Sequence, residues 1–132
     1  MVGGGAGRLP TEDEMKLITR QIEVDVEVDG VTVKGRVLSC TTLSELRDKN
    51  YKLVGTGKNK RPKLDELEYG KDLFIAAVIE WDESVVDEDG KPLKCDEKNK
   101  SLVYEWNQGF AQAAMNEISK AVIELRSEEV KN

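Results

Sequence analysis

Histidine is absent from this 132-residue sequence. No Ser-His-Asp triad, no Cys-His pair and no His-based metal site can be built from it. Cysteine occurs twice, at Cys40 and Cys95, and two thiols alone do not make a structural zinc site. No basic stretch followed by an apolar core opens the sequence, so no secretion signal is expected. The thiols therefore read as reduced and cytosolic rather than as a disulfide. Aromatic residues make up 5% of the chain, too few for a broad base-stacking surface. The longest apolar run, Leu73 to Ile79, is seven residues, against the roughly 20 that cross a bilayer. A membrane partner is not expected.

What is present is charge. Hydrophobic residues account for 39% and charged residues for 35%, with a net charge of −6. The length is that of one domain with a modest core. The charge is uneven: residues 1–63 carry 12 Lys and Arg against 9 Asp and Glu, and residues 64–132 carry 8 against 17. An acidic second half repels a phosphate backbone, so nucleic acid is not an expected partner. It suits basic protein partners, or simply keeps a small domain in solution.

Residues 1–10 read as a flexible Gly-rich leader, because its glycines make an ordered backbone costly, and the GGGAG run is no phosphate loop, lacking both a preceding strand and a following GK[ST]. Residues 11–132 are expected to form a single α+β domain, in which an N-terminal β-hairpin packs on mainly helical material ending in a long helix. Thr11 and Glu14 have capping-box spacing for a short first helix. The clearest local signal lies at residues 21–38. Ile22, Val24, Val26 and Val28 alternate with acids, Asp29-Gly30 follows, and Val31, Val33 and Val37 alternate with Thr32, Lys34 and Arg36. Period-two alternation about Asp-Gly predicts a hairpin with a type I′ turn. Facing Val28 with Val31 sets Asp25 against Lys34 and Glu23 against Arg36 on one face, leaving a valine face for helices to cover.

A short helix is expected at 42–49, from the Thr42/Glu45 capping spacing and Leu43 and Leu46. Residues 51–63 read as a loop broken by Gly55 and Gly57, with Lys58, Lys60, Arg61 and Lys63 clustered around Pro62. Such a cluster can touch phosphates or an acidic protein, or can be plainly solvated. Leu64, Leu67, Phe74, Val78 and Trp81 recur at helical spacing and predict a helix over 63–82, interrupted by Gly70. A second apolar stripe, Leu102, Trp106, Phe110, Ala114, Ile118, Ala121 and Leu125, predicts a long helix over 97–128 with Asp96 as N-cap and a kink or split at Gly109. Trp81 and Trp106 read as core anchors that meet if these helices are antiparallel.

No catalytic residue, cofactor or metal ligand emerges. Placing Gly90 at position six of a calcium loop puts Val85 where the first ligand must be, which excludes an EF-hand. Nothing in the sequence indicates a cleft in which the carboxylates Glu80, Asp82 and Glu83 would act.

The stretch Ile79–Met115, IEWDESVVDEDGKPLKCDEKNKSLVYEWNQGFAQAAM, resembles the tail assembly chaperones of long-tailed bacteriophages and prophages. The resembling features are Trp81, the acidic turn with Asp87, Gly90 and Pro92, and the polar helix entry at Glu97–Asn99. VTVKGRVLSCTTLSEL, residues 31–46, is similar to the front of such proteins. The resemblance implies a non-enzymatic factor of the host cytoplasm that binds the tape measure protein, recruits tail tube subunits and leaves before the virion is complete. Leu102, Trp106, Phe110, Ile118 and Leu125 are the candidate partner-binding residues, unless their stripe is all internal core. A virion structural protein (tail completion or head–tail joining) and a small acidic regulator mimicking nucleic acid remain open, as does the oligomeric state.

Overall fold

The structure, a computed structural model, describes the backbone of residues 20–131 and the side chains of residues 20–125. The expected leader and the expected helix beginning at Thr11 lie outside the described residues. The fold is α+β. Strands β1 (Glu23–Val28) and β2 (Val31–Arg36) form the expected hairpin. Asp29 and Gly30 have φ of 50° and 81°, the pair of positive values that a type I′ turn requires. The register matches the sequence reading, with Val28 facing Val31, Asp25 facing Lys34 and Glu23 facing Arg36. The charges lie opposite one another but form no ion pair among the described residues. Instead Arg36 Nε donates to the Ala76 carbonyl at 3.0 Å.

Helix α1 (Cys40–Lys49) starts earlier than expected, because the Ser39 hydroxyl, not Thr42, accepts the first free N–H, that of Thr42. The segment read as a loop is a second hairpin, β3 (Tyr51–Val54) and β4 (Arg61–Leu64), closed by a 3₁₀ turn at Gly57–Asn59. Its base is fixed by Asn50. The Asn50 side-chain amide donates to the Leu46 carbonyl at 2.8 Å and to the Asp72 carboxylate at 2.9 Å, and the Asn50 main-chain carbonyl accepts the Asp65 N–H at 2.8 Å.

Asp65 caps α2 (Glu66–Ala77). The helix expected over 63–82 is shorter at both ends: Leu64 belongs to β4, and Val78–Trp81 form strand β5. β5 pairs antiparallel with β2, giving a sheet of order β1-β2-β5. The reason is tertiary. The β-branched pair Val78-Ile79 suits a strand, and the open edge of β2 supplies backbone partners that a helix end would lack. Trp81 is buried as expected, but from a strand, and its indole N–H donates to the Leu93 carbonyl at 2.8 Å.

The predicted long helix is two helices, α3 (Glu97–Trp106) and α4 (Gln108–Lys131). Asp96 caps α3 as expected, accepting the Asn99 N–H at 2.8 Å. The split falls at Asn107, two residues before Gly109. α4 lies across the valine face of β1 and β2. The approach is close at Gly35, where an added Cβ would sit 2.2 Å from Ile118 Cδ1. The core joins both layers through Val28, Val33, Phe74, Val78, Tyr104, Ala111, Ala114 and Ile118. Burying a side chain such as Phe74 contributes about 1.5–3 kcal/mol.

Candidate partner-binding face

The acidic loop between β5 and α3 has its Asp82 and Asp87 carboxylates tied to backbone N–H groups, its own and one of β2. The Asp82 carboxylate accepts the N–H groups of Thr32 at 2.9 Å and Ser84 at 2.8 Å. These bonds, Thr32 first, hold its pKa below the usual carboxylate range. Asp87 Oδ1 accepts the N–H groups of Asp89 and Lys91 at 2.8 and 3.0 Å, and Val86 bridges Pro92. Among the described residues no cluster of three or more Cys, Asp or Glu is placed to hold a metal ion. Cys40 is exposed and Cys95 half-buried, both as free thiols. Burial is the main cause raising the Cys95 pKa.

The loop delivers the chain to α3, which has two unlike faces. Val103 and Tyr104 are buried, with Tyr104 5.9 Å from Phe74 between ring centroids. Two polar ties fix α3 on α2: Lys100 Nζ donates to the Ile75 carbonyl at 3.1 Å, and Lys71 Nζ meets Glu105 at 3.0 Å. The outer face carries Leu102 and Trp106, one turn apart, 46% and 79% exposed.

The five candidate residues therefore separate. Leu102 and Trp106 stand together in solvent. Phe110 is half-buried against the core, and Leu125 is exposed far along α4. Ile118 is only 2% exposed and lies under the sheet, so it belongs to the core and is withdrawn from the set. The expected pairing of two buried tryptophans is corrected too. The split at Asn107 puts Trp106 at a helix end facing water, and Trp81 lies inside.

Sequence reasoning missed three exposed apolar side chains of the β3–β4 hairpin, Tyr51, Leu53 and Val54, and also Ile123 on α4. Tyr51, Leu53 and Val54 make β3 largely apolar, a strand signal that Gly55, Gly57 and Pro62 obscured. No helix among the described residues is long and apolar enough to cross a membrane. Comparison with known proteins returns no relative: no family model, no curated protein and no solved structure matches the chain.

Proposed function

We propose that this chain is a non-enzymatic tail assembly chaperone of a long-tailed phage or prophage. In this reading it works in the host cytoplasm, binds the tape measure protein through the outer face of α3, and recruits tail tube subunits. The likeness of residues 79–115 to that family supports the reading. The structural observation that carries it is Trp106, left 79% in water beside Leu102 on a rigidly held helix. An aromatic side chain of this size buries about 150–250 Å². With 79% of it in water, covering it at about 25 cal/mol per Å² is worth on the order of 3–5 kcal/mol before the costs of association. Trp is also the residue type most enriched at binding hot spots. An apolar helix of the partner would cover the pair in the helix-on-groove manner.

Co-expression with the tape measure protein encoded in the same tail gene cluster tests this. The expected result is a soluble complex that co-elutes, lost in L102A/W106A with the fold intact, and no chain in purified virions. A stoichiometric copy in the virion would overturn the chaperone reading in favour of a structural tail protein.

A further inference from the structure

The β3–β4 hairpin projects from the α1–α2 junction, and its strands contact each other more than the rest of the chain. Every residue of β3 is exposed, and of β4 only Leu64 is half-buried. The pairing of Tyr51 with Leu64 and Leu53 with Pro62 makes one apolar face, and Lys52, Val54, Arg61 and Lys63 form the other. Residues 51–64 hold Lys52, Lys58, Lys60, Arg61 and Lys63 and no acid. Among the described residues only Lys52 of these five is in an ion pair, with Asp65 at 2.7 Å.

The outer face of the β1-β2-β5 sheet, opposite α4, has the reverse character. Strand alternation puts Glu23, Asp25, Glu27 and Glu80 there, with Asp82 at the end of β5. Among the described residues of these strands only Lys34 and Arg36 stand against them, and Arg36 is turned to the Ala76 carbonyl. Asp25, Lys34, Glu80 and Asp82 line a shallow depression on this face.

We propose that the basic hairpin of one copy docks on the acidic outer sheet face of a second copy of this chain. Both halves of the contact are present on one molecule and are complementary in charge. At physiological salt, fields fade within about 8 Å, so the apposed patches decide the contact rather than the net charges. A nucleic acid fits less well. The whole chain is −6 with the hairpin's +5 included, so the rest is strongly acidic and repels a phosphate backbone. The hairpin also offers only Tyr51 for stacking. Hairpin and sheet face are different surfaces, so the contact closes reciprocally between two copies or runs head to tail through more than two. A hairpin this small buries less than the roughly 1,200 Å² of a stable interface, so association is weak and concentration-dependent.

Sedimentation velocity of the full chain at high protein concentration, in about 50 mM and about 500 mM salt, tests the contact. The expected result is an average mass rising to at least twice that of one chain at low salt and falling to one chain at high salt. R61E/K63E and D25K/E27K, each with an unchanged circular dichroism spectrum, should both remain monomeric, and mixing the two should restore association. A monomer at low salt, or association indifferent to both reversals, would overturn the proposal. Loss in R61E/K63E but not in D25K/E27K would also overturn it, since the hairpin would then meet another surface. So would salt-sensitive binding of a duplex oligonucleotide by a chain that stays monomeric.

Discussion

Single residues set the tolerances of this fold. Gly30 sits at φ 81° with nothing within 4 Å of an added Cβ, so a side chain there meets only backbone strain. Left-handed backbone costs an L-residue roughly 1–2 kcal/mol, and G30V should lower stability to chemical denaturation by about that much. Gly70 is the opposite case. It lies inside α2, where alanine is ordinarily better by about 1 kcal/mol. Yet a Cβ there would stand 2.2 Å from the Tyr104 hydroxyl oxygen, and Tyr104 is held by the core. G70A should therefore destabilise, and Y104F, which removes the clashing oxygen, should recover much of the loss in the double variant. Asp82 supplies a pH dependence. Its folded pKa is depressed by the Thr32 and Ser84 N–H groups, so its contribution is complete above the unfolded value of about 3.9 and is lost as pH falls through the folded value. Thermal melts should show the wild type losing stability below about pH 4, and D82N losing less over the same interval.

At the scale of elements, legibility followed how local the cause was. The first hairpin was readable to the residue, because its turn chemistry, alternation and charge register all lie within residues 21–38. The Asp96 cap was readable for the same reason. Strand β5 was not: Val78 and Trp81 also fit a helical stripe, and only the edge of β2, more than 40 residues earlier, makes them a strand. The β3–β4 hairpin was hidden by its glycines and proline, which interrupt its short apolar runs and read as loop punctuation. Of the candidate site, Leu102 and Trp106 were legible as apolar positions on α3. That they face water while Ile118 is buried depends on the break at Asn107, which the expected kink or split at Gly109 placed two residues late and without its effect on the stripe. The two hairpins should also differ in behaviour. Amide hydrogen exchange should be far faster at Lys52 and Lys63 than at Val33, because β2 is flanked on both sides and covered by α4 while β3–β4 buries almost nothing.

At the scale of the whole molecule, a conventional core coexists with an uncovered apolar face on α3. An internal packing role for Trp106 would leave it dry, and it is not. The two tryptophans make the central claim directly measurable, since Trp81 is 8% exposed and Trp106 is 79% exposed. A fluorescence titration of W81F, which isolates Trp106, with a helical segment of the tape measure protein is the most direct test. The account predicts a red-shifted emission that moves to shorter wavelength and saturates as the segment is added, with L102A weakening the binding by about 1 kcal/mol. An emission that stays red-shifted while the segment demonstrably binds, or no binding at all, would contradict it.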